Sequence, residues 1–414
     1  MRRDAVEGNR GQVNLIRELA QRYMEVCAKP VQNERRRLWA LKNSLKPVRP
    51  LIYVRACAWR EMPQSKCQCQ DPTLKDAESF LRQALFVDTF GDDTIMEPWV
   101  TLRATHRNHG WGIEGERRYS EEDEGGGAYK EDYPIRDLSD IEKLHAPCHD
   151  IDEAATARNL AKLEEAIGDI VPVNVNRGPA RGIWSMDLST DLGHLRGIEH
   201  IMMDMMDNPE WLHRLLAFMR DGVLKDHEET EAAGDFGLAN HYNQAMPYAE
   251  ALEPPAANAR GVKRSQIWCY MAAQEFTGVS PAMHEEFLLR YQMPIMAPYG
   301  LVAYGCCEDL TRKIDMLRQI PNLRRIAVSP FADVARCAEQ IGTDYVVSYR
   351  PSPADMVSYG FDPDRVQTVL RRDLERCRGC HVDITLKDVE TVERDPDRIR
   401  AWTQLAREVV EDLG

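Results

Sequence analysis

Two cysteines stand side by side in Tyr304-Gly305-Cys306-Cys307-Glu308, and no other pair among the eleven cysteines is adjacent. Neighbouring cysteines seldom bond to each other, because so short a link strains the disulfide. As thiolates they are soft ligands for Zn²⁺. As thiols they are small apolar residues that pack well in a core. The residue types alone leave both roles open. His241 offers an imidazole from a distant segment. Glu285 offers a carboxylate in Ser280-Pro281-Ala282-Met283-His284-Glu285-Glu286, where Ser280 reads as an N-cap and Pro281 as the first helical residue. The competing role for Glu285 and Glu286 is to complement the helix dipole. Two further pairs carry less. Cys377-Arg378-Gly379-Cys380 has no second pair at zinc-ribbon spacing and falls at a helix–strand junction, so packing is expected there. Cys67-Gln68-Cys69 lies in a polar stretch.

These residues need elements to hold them. Apolar residues recur at helical spacing over the first 45 or so positions and over 73–86, 155–166, 208–233, 281–297, 308–319, 331–341, 363–377 and 395–412. Short apolar runs between them read as strands: 50–54, 170–176, 236–240, 301–306, 323–328, 345–349 and 380–385. Strand and helix alternate, which means βα units and a parallel sheet. The pattern predicts an α/β fold, a (β/α)8 TIM barrel over 76–414, with 1–75 as an N-terminal helical extension. The Gly125-Gly126-Gly127 run between charged arms predicts a surface hairpin inserted near 113–134, and Ser139 is the expected N-cap of a helix after it. A doubly wound open sheet is the competing architecture, but no Gly-x-Gly-x-x-Gly turn follows a strand.

In such a barrel the chemistry gathers at the C-terminal ends of the strands. That rule selects Asn176 and Arg177, then Asn240, His241 and Tyr242, then Tyr304, Cys306, Cys307 and Glu308, then Tyr349 and Arg350, and finally Asp383, Lys387 and Asp388. Arg181, Trp184 and Asp187 follow the 170–176 strand in one loop, an aromatic flanked by charges that suits a substrate.

Lys and Arg number 53 against 67 Asp and Glu, a formal charge of −14, which argues against a nucleic-acid binder. No apolar run approaches the roughly 18 residues of a membrane helix. The opening Met1-Arg2-Arg3-Asp4 is charged and leads into no apolar core, unlike a secretory signal. The expected location is cytoplasmic, with reduced thiols.

Pro134-Ile135-Arg136-Asp137-Leu138-Ser139-Asp140-Ile141-Glu142-Lys143-Leu144 and Asp207-Asn208-Pro209-Glu210-Trp211-Leu212, with Ala232-Ala233-Gly234 beyond, look like segments of the uroporphyrinogen decarboxylase superfamily. The resemblance covers roughly residues 75–414. It implies a (β/α)8 barrel, and membership near the zinc-dependent methyltransferases that work with corrinoid proteins. It also implies a homodimer. The decarboxylase's Arg-Gln-Ala-Gly-Arg motif has no match at the right spacing near Arg55-Ala56-Cys57-Ala58-Trp59-Arg60. The methyltransferases' His-x-Cys becomes Tyr304-x-Cys306, and no cysteine follows the last strand. A replacement metal set drawn from this sequence is His241, Cys306 and Cys307, with Glu285 or Glu308 as fourth ligand.

The leading expectation is therefore a zinc-dependent methyltransferase or demethylase. It moves a methyl group between a small methylated substrate and a thiol, or a corrinoid on a separate protein, since no Asp-x-His-x-x-Gly motif occurs in the chain. Tyr304, Glu308, Asp187, Tyr349 and Lys387 are the expected catalytic residues. Asn176, Arg177, Arg181, Trp184, Asn240, Tyr242 and Arg350 are the expected substrate contacts. A second expectation is a metal-free decarboxylase or lyase in which Arg177, Arg181 and Arg350 hold carboxylates. A third is a barrel that binds a small molecule without turning it over.

Overall fold

A computed structural model describes residues 2–55, 57–108, 110–119 and 129–414, the side chains of 2–10 and of Tyr129 excepted. Among the described residues ten strands are β1 (Leu51–Val54), β2 (Val100–Arg103), β3 (Glu116–Tyr119), β4 (Tyr129–Asp132), β5 (Val173–Asn176), β6 (Trp268–Met271), β7 (Leu301–Tyr304), β8 (Leu323–Val328), β9 (Val346–Tyr349) and β10 (His381–Leu386). Six form one parallel sheet in the order β1-β10-β9-β8-β7-β6. Two more, β2 and β5, form a parallel pair, and β3 with β4 forms the antiparallel hairpin expected near 113–134, its tip outside the described residues. Strands β6, β7 and β9 are buried at every position. Both faces of these strands are covered, so their sequences are largely apolar runs with no regular polar alternation.

The strand ladder does not close into a ring among the described residues. Phe236–Asn240, expected as a strand, is a turn: the Asn240 amide donates to the Gly237 carbonyl at 3.0 Å, and Asn240 Oδ1 accepts from the Gly237 amide at 2.7 Å. A short polar side chain has offered the backbone a local alternative to the ladder. Loops occupy both edges of the six-stranded sheet. Asp93 and Asp92 accept from the Ile52 and Val54 amides of β1, and the Tyr242 amide donates to the Trp268 carbonyl of β6 at 3.1 Å. These contacts satisfy backbone groups that an edge strand otherwise leaves open.

Helix Arg2–Cys27 lies against helices Pro72–Val87 and Glu153–Ile167, with Ile16, Leu19 and Tyr23 in an apolar cluster beside Leu74, Leu81 and Leu163. Helix Pro30–Asn43 ends among residues of the sheet's N-terminal half. Its Asn43 accepts from Arg325 at 2.7 Å, and Arg325 pairs with Asp383 at 2.7 Å, both buried. Lys42 is fully buried beside them, and burial pushes its ammonium down to about 7. Asp383, expected at the mouth, therefore belongs to a buried ion network three residues before its strand ends. Asp137, and not Ser139, caps the short Leu138–Lys143 turn, since its position pairs with Asp140 in a capping box. The expected 308–319 helix shrinks to Ile314–Leu317. No helix among the described residues is long and apolar enough to cross a membrane.

Candidate functional site

The loop leaving β7 begins at Gly305 with φ +102°. An added Cβ there would stand 2.7 Å from Leu310 and 2.9 Å from Ala327. Only glycine fits both the angle and the space. The turn puts Cys306 and Cys307 side by side, with Sγ atoms 3.6 Å apart. Glu308 holds the loop in place: its carboxylate accepts from the Cys306 amide at 2.7 Å and the Ala273 amide at 2.8 Å. Each of its two oxygens is bonded to a backbone amide. Glu308 is thus a positioning residue, not a catalytic one.

Two cations from later strands meet this loop. Lys387, just past β10, donates to Cys307 Sγ at 2.9 Å and pairs with Asp388, whose φ of +56° is strained for a non-glycine residue. Asp388 Oδ2 stands 3.3 Å from the Cys307 sulfur. Arg350, just past β9, donates to the carbonyls of Cys306 at 2.8 Å and Gly305 at 3.2 Å. The pair holds one thiolate more readily than a free thiol does. The hydrogen bond from Cys307 pulls the Cys306 thiol down, and Arg350 and Lys387 add to it. The same hydrogen bond holds the second proton on Cys307 and pushes it up. Cys306 is 2% exposed and Cys307 half-buried. Gln244, 4% exposed, lies against Cys306 with neither side-chain polar atom hydrogen-bonded; it carried no motif in the sequence.

The other expected residues divide. Trp184 packs edge-on against Tyr270 of β6 at 5.1 Å, with Arg55 over its ring at 4.8 Å. Tyr270 has a buried hydroxyl without a partner, and burial followed by the Cys306 charge pushes its ionisation up. Periodicity did not mark Tyr270, because its strand was not expected. Asp187 is fully buried and accepts from Thr190; burial, with Glu275 nearby, raises its carboxyl well above the usual range.

Tyr304 turns away from the thiols. Its hydroxyl donates to Gln292 at 2.7 Å and meets His284 at 2.9 Å, in the helical layer outside the sheet. Tyr349 donates to Asp373 of helix Pro363–Arg376 at 2.8 Å. Both tyrosines tie helices to strands. Asn176 and Asn240 bond to each other at 2.7 Å. Arg177 is taken by Glu153 and Asp235, and Arg181 by Asp191 at 2.6 Å. Tyr242 is buried against Gly182.

The expected metal set does not assemble. His241 Nδ1 accepts from the Trp268 amide at 3.4 Å, at the start of β6. Trp268 lies opposite Leu301, five residues before Cys306, which is roughly 16 Å of strand. Glu285 is exposed and bonded to Gln319 at 3.0 Å. The sulfur spacing itself would suit zinc, since two sulfurs on a tetrahedral ion stand about 3.8 Å apart. The surrounding charge does not. Lys387 holds both Cys307 and Asp388, Arg350 adds a second cation, and Glu308 is filled by backbone amides. Among the described residues no three His, Cys, Asp or Glu side chains are placed to hold a metal ion. The residues present do not fit the expected zinc centre.

Fold and site together define a parallel-sheet α/β protein with a vicinal thiol pair, flanked by two cations, beyond one strand end. No family model matches the chain, and a search of curated proteins found no significant match. Among solved structures, a methyltransferase from Methanosarcina mazei superposes with a TM-score of 0.53 at 14% identity, over 90% of this chain and 97% of that one. At that identity the likeness is one of fold.

Proposed function

We propose that this chain is a methyltransferase whose reactive group is the thiolate of the Cys306–Cys307 pair, set at the mouth of a (β/α)8 barrel that loops complete. It takes a methyl group from a small methylated substrate and hands it to a separate acceptor, an external thiol or a corrinoid-bearing protein. The observation that carries this reading is the 3.6 Å sulfur pair with Lys387 2.9 Å from one sulfur. A thiolate is the nucleophilic form of cysteine, and cations beside it raise its share at neutral pH. Lys387 and Arg350 do here what a bound metal does elsewhere: they hold the sulfur's negative charge.

In the first half-reaction the thiolate's electron pair forms the S–C bond as the bond between that carbon and the substrate heteroatom breaks. The heteroatom keeps the bonding pair and takes the proton held on the second thiol. In the second half-reaction an external thiol gives its proton to the second sulfur and, as thiolate, attacks the same carbon; the S–C bond breaks and its pair returns to the first sulfur, which restores the starting pair. Trp184 and Tyr270 supply an aromatic wall for the substrate, and Gln244 an amide free to orient it. The lyase alternative needs several arginines free for carboxylates. Arg177 and Arg181 are committed to carboxylates of the protein, which leaves Arg350.

The test is peptide mass spectrometry after incubation with methylated amines, ethers and thioethers. One added methylene on the Cys306–Cys307 peptide, absent from a Cys306→Ser/Cys307→Ser variant, is the expected result. Turnover that persists in that variant defeats the proposal.

A further inference from the structure

A cavity opens beyond the same strand ends, between the β8 and β9 loops and helix Pro363–Arg376. It has a volume of about 500 Å³, within the usual range of small-molecule sites. Its wall carries Arg350, Arg365, Arg372 and Arg376, with Ser329 and Ser352 among the hydroxyl groups. Three aspartates share the wall: Asp333, Asp355 and Asp373. Asp355 engages Arg365 at 3.3 Å. Asp373 is shared by Arg372 at 2.8 Å and Arg376 at 3.4 Å, and it also accepts from Tyr349. Asp333 is spent capping helix Val334–Ile341. Four guanidinium groups therefore face three carboxylates, in a chain whose net charge is −14.

The buried member decides what the cavity is for. Arg350 is 3% exposed, has no carboxylate partner, and spends its two terminal nitrogens on the carbonyls of Gly305 and Cys306. Its Nε is buried without an acceptor. A buried guanidinium donor left unpaired is costly. An oxyanion in the cavity supplies the missing acceptor, and the exposed arginines can swing from their aspartates to meet its other oxygens in paired contacts.

We infer that this cavity binds a compact small-molecule anion, phosphoryl or polycarboxylate in chemistry, at a site separate from the thiol pair. Arg350 stands between them, bonded to the thiol loop on one side and lining the cavity on the other. The inference stands on the cavity and its arginines and does not depend on the methyl-transfer reading.

Calorimetric titration of the full chain with pyrophosphate, inorganic phosphate and citrate, at ionic strength fixed with chloride, tests it. Saturable binding of one equivalent is expected. Tighter pyrophosphate identifies a phosphoryl ligand, and tighter citrate a polycarboxylate. The Arg365→Gln/Arg376→Gln variant should bind at least about tenfold more weakly with an unchanged thermal midpoint. If its midpoint falls, Ser352→Ala takes its place, with an expected loss of about threefold. Cys306→Ser should bind as the parent does. No saturable binding of any probe overturns the site, as does undiminished affinity in the arginine variant or lost affinity in Cys306→Ser.

Discussion

Two cysteine pairs lie at opposite ends of the sheet, and their surroundings make them different chemicals. Cys306 and Cys307 follow the C-terminal end of β7. Cys377 and Cys380 precede the N-terminal end of β10, in a turn that Gly379 closes at φ +85°. Burial pushes the Cys377 thiol up to about 12, with Cys380 and Asp373 adding to it. Burial also raises Cys380, whose sulfur points to the Ala338 carbonyl at 3.6 Å. Cys306 is just as buried as Cys377, at 2% exposure each, yet its ionisation moves the other way. Burial is therefore not what separates the pairs. A thiol donor and two cations surround one, and a carbonyl and a carboxylate surround the other.

Four experiments break or sharpen that contrast. The largest effect is expected from Cys306→Ser/Cys307→Ser, which should lower methyl transfer at least ~10³-fold, as loss of a nucleophile does. Cys377→Ser should leave the rate intact, so equal losses in both variants would erase the distinction.

Alkylation with iodoacetamide, followed peptide by peptide, reads the second. A Cys306 thiol pulled down by its neighbours predicts labelling of the Cys306–Cys307 peptide that stays flat between about pH 7 and 9. Cys380 is protonated there, and its labelling should rise nearly tenfold per pH unit. Parallel profiles would mean that the cations do not act on Cys306.

Lys387→Met removes the charge nearest the sulfurs. A weaker thiolate needs a higher pH to form, so the pH at which labelling reaches its plateau should move upward by about one unit. An unmoved profile would leave Arg350 and the neighbouring thiol as the whole cause.

The smallest effect falls on the other pair. Cys377→Ser places a hydroxyl in a 2%-exposed position and should cost about 1–2 kcal/mol in denaturant unfolding.

Much of the sheet was legible because its signal is local. Leu301–Tyr304, Leu323–Val328 and Val346–Tyr349 are apolar runs bounded by turns and helices, and they became strands. Phe236–Asn240 has a similar composition but turned instead, since Asn240 bonds back to Gly237. Val100–Arg103 and Trp268–Met271 were not expected, being short runs without clear turn punctuation on both sides. With Trp268–Met271 went Tyr270. The rule that strand ends carry chemistry picked out Cys306, Cys307, Arg350 and Lys387, which the fold does bring together. It also picked out Tyr304, Tyr349 and Arg177, because a position near a strand end does not say which way its side chain turns.

What the sequence determined by itself was the alternation of helix and strand, the vicinal thiols and the glycine before them. Each depends on residues within a few positions of one another. Tertiary structure alone decided which charges surround those thiols, because Lys387 lies 80 positions from the sulfur it touches. It also decided that His241 and Glu285 stand elsewhere. Electrostatic partners are chosen by distance through space, and periodicity along the chain carries no record of it.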